Sequence, residues 1–245
     1  MADPFDPRPL PAGYALADAL RVYRLLFQRS VLVAAIVYGC IALLEISGHV
    51  ASGATSSLIG LVGFVATLAG PALVQGSLIE IVRNIHEARR PERVRSLFSG
   101  TSKRLLTLVG ASIVYALGIG FGLVLLLVPG LIVMTRWSLM PAVVMLEGKG
   151  VTEARHRSSA LVRGQSWPVF VCLLTSFLLI AIPSLAFVAS HLSFGTRTFA
   201  SFVWSAVSAP FVAHLLTVIY YRRAEPGRPV IAADVWQWKS VWEGR

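Results

Sequence analysis

The hydrophobic positions of this chain fall into six long blocks, separated by short polar segments. The blocks cover about residues 31–46, 58–82, 105–128, 131–146, 167–190 and 199–221. A helix needs about 20 apolar residues to cross ~30 Å of hydrocarbon at ~1.5 Å per residue. Lipid cannot satisfy an open backbone group, so such blocks read as helices. Within them apolar and polar residues do not alternate, which excludes a transmembrane barrel. The predicted fold class is therefore all-α: a polytopic transmembrane bundle of six spans arranged as three hairpins.

The polar segments refine this picture. Residues 1–13 carry four prolines and no apolar run, so they read as a flexible tail rather than a signal peptide. From Asp18 the chain places Arg21 and Arg24 among Leu20, Tyr23 and Phe27, the pattern of an amphipathic helix at a membrane surface, with Asp18 as its cap. Polar segments with apolar tips also precede the third and fifth spans, at Arg95–Gly100 and Ser159–Gly164. They predict further interfacial helices on the cytoplasmic side. Pro129-Gly130 predicts the tight turn between spans three and four. The membrane domain is then residues 14–223. The tail 224–245 places Val235, Trp238 and Trp242 on one face of a short Trp-rich helix.

Composition agrees. The chain is 56% hydrophobic and 14% charged, with a mean hydropathy of +0.71. Its net charge of +10 would suggest nucleic acid in a soluble protein, but no nucleic-acid motif accompanies it. Six spans instead place 20 of the 22 Lys and Arg on one side. By the positive-inside rule that side is the cytoplasm, and both termini lie there. The expected location is a bacterial cytoplasmic (inner) membrane. The expected partners are membrane lipids, chiefly anionic head groups on the cytoplasmic side, with a protein partner or a second copy as further candidates and no nucleic acid. Cys40 and Cys172 lie in apolar blocks and read as packed thiols, not as a disulfide framework.

Each even-numbered span contains a proline, at Pro71, Pro141 and Pro210. Two readings stand. One is an internal repeat of ~70 residues, each copy an interfacial helix plus a hairpin, as in many membrane bundles. The other is coincidence, since proline is frequent in membrane helices.

Few residues offer chemistry. Arg136 lies within the fourth span, where an ionisable group is costly and normally faces protein or water. Counted from the Pro129-Gly130 turn it lies ~9 Å deep at ~1.5 Å per residue. Glu45, near the outer end of the first span, is then its depth-matched partner. The favoured reading is a structural Arg136–Glu45 contact or snorkelling to the outer surface; the sharper alternative is a group that binds an anionic ligand. Glu80 and Glu147 stand near the inner ends of spans two and four and predict salt bridges with neighbouring arginines. His214 reads as a packed neutral histidine. Gly118 and Gly122 form a GxxxG face for close helix approach, and Ala66 with Gly70 forms a second small pair. There is no phosphate loop and no GxSxG, and His86-Glu87 lacks the second histidine of a zincin because Arg90 stands there. Neither a catalytic residue nor a cofactor or metal site is expected.

One stretch carries a resemblance. Pro129-Gly130, Arg136-Trp137, Pro141, Glu147-Gly148, Glu153-Ala154, Arg157-Ser158, Gly164 and Trp167 occur in an order that resembles the membrane domain of some bacterial glycerophosphodiester phosphodiesterases and related stand-alone membrane proteins. It is best over residues 123–170. The resemblance implies a helical bundle in a bacterial membrane. It transfers no activity, because in those enzymes catalysis belongs to a separate soluble barrel. The expected function is that of a non-catalytic membrane protein acting through lipid or protein contacts. A small transporter or channel with a polar cavity is the alternative, and an intramembrane enzyme is the reading with least support.

Overall fold

A computed structural model describes residues 12–89 and 94–231. The described chain is helical throughout: α1 (Ala12–Val50), α2 (Gly53–His86), α3 (Val94–Ser102), α4 (Leu105–Leu125), α5 (Leu127–Trp137), α6 (Met140–Glu147), α7 (Val151–Val162), α8 (Ser166–Ala189) and α9 (Phe194–Ala224). Six stretches are long and apolar enough to cross a membrane: α1, α2, α4, α5 with α6, α8 and α9. The all-α polytopic architecture expected from the hydrophobic blocks is the one observed. The Pro-rich stretch 1–11 and the Trp-rich stretch 235–242 lie outside the described residues.

Three helices are far longer than a crossing requires. The 39, 34 and 31 residues of α1, α2 and α9 would extend ~58, ~51 and ~46 Å at ~1.5 Å per residue. The surplus is built into a second layer of packing. Buried residues concentrate in the first part of α1 (Ala15, Ala19, Val22, Leu26) and the last parts of α2 (Leu78, Ile79, Val82, Ile85) and α9 (Leu215, Val218, Ile219). The opposite ends of these helices are exposed and apolar, as at Leu43, Leu61, Phe64 and Phe199. One end of the bundle is thus a packed protein core, and the other presents side chains to lipid. The basic segments meet at the packed end: Asp18 of α1 pairs with Arg222 at the close of α9, and Arg223 Nε donates to the Leu161 carbonyl of α7 at 2.8 Å.

Three local expectations are corrected. The surface helix predicted from Asp18 is not separate; it runs without a break into the first span, because no proline or glycine pair interrupts Ala15 to Val37. Asp18 is therefore internal to α1 and pairs with Arg21 (3.5 Å) and Arg222 instead of capping a helix. The reversal between spans three and four falls at Leu126, which is extended (φ −165°, ψ 146°), while Pro129-Gly130 lies in the first turn of α5. Proline fits there because its missing N–H would be unpaired in a first turn anyway. Lastly, the fourth span breaks after Trp137, since Pro141 at the start of α6 cannot donate into the preceding turn.

Small residues set the closest approaches. The GxxxG face of α4 meets α5: a Cβ added at Gly122 would stand 2.6 Å from Gly130 Cα, and one at Gly118 would overlap the Trp137 ring. Gly76 of α2 sits where three helices converge, and a Cβ there would lie 2.5 Å from Thr101 Cγ2, 2.8 Å from Leu108 Cδ1 and 3.4 Å from Met145 Sδ. Arg104, just before α4, closes the same junction by donating Nη1 to the carbonyls of Val144 (3.0 Å) and Met145 at the end of α6. These carbonyls have no intrahelical partner at a helix C-terminus, so a cation there is favourable.

The three prolines sit differently in their helices. Pro71 and Pro210 lie inside continuous helices, whereas Pro141 opens one. Short helices α3 and α7 precede α4 and α8, but the corresponding segment before the first span is fused into α1.

Candidate functional site

Four acidic or basic side chains singled out by sequence are dispersed. Glu147, the last residue of α6, is the best connected. Its Oε1 accepts from Arg157 Nε (2.9 Å) and from the Tyr220 hydroxyl (2.9 Å), and its Oε2 faces Lys149 Nζ at 2.6 Å. One carboxylate thereby ties α6, α7 and α9 together. Charge-assisted bonds of this kind are about twice as strong as neutral ones. Glu80 faces Arg83 one turn on in α2 at 3.5 Å, and Arg83 reaches Glu87 at 3.0 Å. Glu147 is thus held by two cations and a tyrosine, whereas Glu80 makes a single longer contact to Arg83.

Arg136 is not paired with Glu45. Among the described residues no ion pair joins them, and both are exposed. The reason is position along the bundle. Because the reversal lies at Leu126 and α5 has only 11 residues, Arg136 falls in the last turn of α5. There α5 rests on α7: the Ser158 hydroxyl donates to the Arg136 carbonyl at 2.7 Å and accepts from the Leu139 N–H at 3.1 Å. The Arg155 guanidinium lies 5.4 Å from the centre of the Trp137 ring. Arg136 therefore belongs to the basic end, beside the first turn of α8, and Glu45 to the far end.

Arg136 lines a groove between α5 and α8. Val128, Leu131, Ile132 and Phe170 supply apolar lining, and Ser166 and Trp167 from the start of α8 also line it. Its volume is about 420 Å³. Thr135 also lines it, but the Thr135 hydroxyl is spent on the Leu131 carbonyl of its own helix at 2.8 Å.

A second polar feature is a buried Ser–His pair. Ser30 Oγ of α1 and His214 Nε2 of α9 are 2.8 Å apart, and both residues are fully buried. Such a pair resembles a nucleophile and its base. Here His214 Nδ1 has no acid or other partner among the described residues, and both residues are fully buried. The pair holds α1 against α9, as does the bond from the Tyr23 hydroxyl to the Val207 carbonyl at 2.9 Å.

Sequence reading also missed a clasp at the end of α2. His86 stacks on Tyr221, its Nδ1 donates to the Val230 carbonyl (3.1 Å), and its Nε2 faces Glu225 Oε2 (3.2 Å). Arg228 adds a bond to the same carboxylate at 2.9 Å. Partial burial alone would raise the Glu225 carboxyl, but His86 and Arg228 outweigh it and hold the group below its usual range. The partners of His86 lie 139 and 144 residues away, and those of Ser30 lie 184 away, so no local pattern could reveal them. No group of three His, Cys, Asp or Glu able to hold a metal occurs among the described residues.

Comparison with known proteins adds a membrane relative. The chain is 29% identical over 162 residues to a protein of Serratia proteamaculans (strain 568) described as a UPF0259 membrane protein. The match covers 64% of this chain and 61% of that relative, so the chain spans about three-fifths of the length of the curated protein it matches. No family model matches the chain, and no solved structure matches it. The phosphodiesterase-domain resemblance gains nothing from this relative, whose description names no such enzyme. Six apolar helices and a bacterial membrane relative together make the chain an integral membrane protein similar to one for which no reaction or ligand is named.

Proposed function

We propose that this is a non-catalytic protein of a bacterial inner membrane that acts by binding anionic lipid at its cytoplasmic face. The observation that carries the reading is the gathering of cations at the packed end of the bundle. Arg21, Arg24, Arg95, Lys103, Arg136 and Arg163 are all exposed there, although they come from five separate segments. Cations close to an anionic leaflet each contribute about 1 kcal/mol. Three acids nearby are already engaged: Asp18 holds Arg222, Glu147 holds Arg157 and Lys149, and Glu225 holds Arg228, while Glu153 on α7 is exposed. The exposed arginines therefore present net positive charge to whatever covers this end.

A transporter would want Arg136 inside the bundle. It lies instead on a lateral groove, and the described interior is filled by Leu26, Leu78, Ile79, Leu139, Met140, Leu215 and Ile219. This favours a binding role over transport.

The lipid reading is tested on the full chain purified in mild detergent, with retained lipid counted by native mass spectrometry. Phosphatidylglycerol should be kept in preference to phosphatidylcholine, and the preference should weaken with salt. Equal retention of both lipids would remove the basis of the reading. Orientation is tested in a C40S/C172A background with a membrane-impermeant maleimide. Thr196→Cys should label in intact cells, and Gly100→Cys only after the inner membrane is permeabilised. Labelling of Gly100→Cys in intact cells would overturn the orientation.

A further inference from the structure

The groove between α5 and α8 is where the anionic-lipid reading acquires an address. We infer that it holds one anionic glycerophospholipid, with the headgroup phosphate on Arg136 and an acyl chain along Ile132 and Val128. This rests on the proposed lipid-binding function and goes beyond it by naming the site.

Three observations converge. First, the Arg136 guanidinium has no ion pair or side-chain hydrogen bond among the described residues. Its nearest acidic candidate by chain position, Glu147, is fully engaged by Arg157, Lys149 and Tyr220. Glu45, the partner expected from sequence, lies at the far end. A guanidinium left this way seeks an anion, and its planar fork matches two phosphate oxygens at once. Second, the groove is mostly apolar, with Arg136, Ser166 and the internally bonded Thr135 as its polar lining, and it is about 420 Å³ in volume, within the range of small-molecule sites. Val128 and Ile132 are 64% and 46% exposed, so its flank faces the surroundings of the bundle and not its interior. An occupant enters by lateral diffusion from the bilayer. Third, Trp167, which also lines the groove, is 72% exposed. An exposed tryptophan at the start of a spanning helix favours the headgroup region, and Trp167 lines the same groove as Arg136.

The charge around the site agrees with an anion. Arg155 lies over Trp137 on the adjoining turn, and Arg163 is exposed just before α8. Glu153 on α7 is the exposed acid in this region; it occupies the turn of α7 farthest along the chain from Ser166. A free phosphate would satisfy Arg136 but leave the apolar walls to water or lipid. A glycerophospholipid satisfies both parts, and it is the occupant we assign.

The test uses full-length protein in phosphatidylcholine nanodiscs titrated with phosphatidylglycerol, with bound lipid counted by native mass spectrometry. Wild type should show one tight phosphatidylglycerol above a weaker set. Arg136→Gln should lose the tight one, weakening it at least about tenfold, as expected for one charge-assisted contact. Arg136→Lys should recover part of the loss, because it restores charge without the fork. Ile132→Trp should also displace the tight lipid with Arg136 intact, because it fills the groove. Arg24→Gln, on exposed charge outside the groove, should reduce only the weaker set. Thermal melting of each variant in the same nanodiscs confirms that the fold is retained, as exposed positions predict.

If Arg136→Gln and Ile132→Trp keep the tight lipid, the groove site is wrong. The broader reading survives that result so long as wild type still prefers phosphatidylglycerol to phosphatidylcholine; loss of that preference would overturn both. Displacement of the tight lipid by millimolar inorganic phosphate, with Ile132→Trp leaving binding unchanged, would make this a phosphate site and overturn the lipid assignment.

Discussion

Replacing His214 with alanine should destabilise the folded protein by about 3 kcal/mol, the larger part of it through packing and not through the lost hydrogen bond. His214 is completely buried between α9 and α1, with Tyr23 6.4 Å away ring to ring and Ser30 at 2.8 Å. Removing the imidazole opens a cavity in a fully buried part of the bundle. Interhelical hydrogen bonds in membrane proteins contribute only about 0.6 kcal/mol on average, because the unfolded chain in lipid finds substitutes. Ser30 has such a substitute, since a helical serine can turn its hydroxyl to the carbonyl four residues before it. The two contributions separate experimentally. His214→Leu keeps most of the volume and should cost about 1 kcal/mol, and Ser30→Ala a similar amount. The double variant Ser30→Ala/His214→Leu should cost less than the sum, because neither half leaves an unpaired polar partner. Melting of the detergent-purified protein, or SDS-driven unfolding, reads all four. If His214→Leu proves as damaging as His214→Ala, the polar link and not the packing holds α1 to α9.

Gly122→Val should be nearly as harmful, by about 3 kcal/mol, at the upper end of overpacking costs. The added Cβ would meet backbone, Gly130 Cα at 2.6 Å and Gly130 N at 2.7 Å, and backbone cannot move aside by changing rotamer. The α4–α5 hairpin would have to open, and with it the last turn of α5 that carries Arg136. Two readouts should therefore fall together: the melting temperature and retention of the tight phosphatidylglycerol. Gly120→Ala provides the control. It lies two residues away in the same helix, is exposed, and has nothing within 4 Å of its Cβ. It should leave both unchanged or raise stability slightly, as alanine favours helix. A Gly122→Val protein that melts like wild type would mean that α4 and α5 are not closely packed.

The Arg136 placement shows how sequence distance misleads near a turn. Taking Pro129-Gly130 as the reversal assigns Arg136 a shallow depth at the far end and Glu45 as partner. Moving the reversal to Leu126 and ending α5 at Trp137 brings Arg136 to α7 and the start of α8. Pro129, read as part of a turn, is a first-turn residue, and Pro141, read as a possible repeat marker, is a helix start. Proline restricts φ and removes a donor in either role, and the sequence does not say which.

The number of crossings and the all-helical class were legible in the sequence, because lipid imposes them locally: each block must be apolar, about the length of the bilayer, and closed in its own hydrogen bonds. The close approach of α4 to its neighbour was legible as GxxxG for the same local reason. What only the tertiary structure decided is how the surplus length of α1, α2 and α9 is used, and which polar groups meet. Ser30 with His214, His86 with Glu225 and Val230, and Glu147 with Tyr220 join residues 73 to 184 positions apart. No periodicity encodes such pairings; they follow from helix tilt and rotation, which side-chain packing sets. The groove at Arg136 is of the same kind, created where two helices distant in sequence diverge and leave one cation without a partner among the described residues.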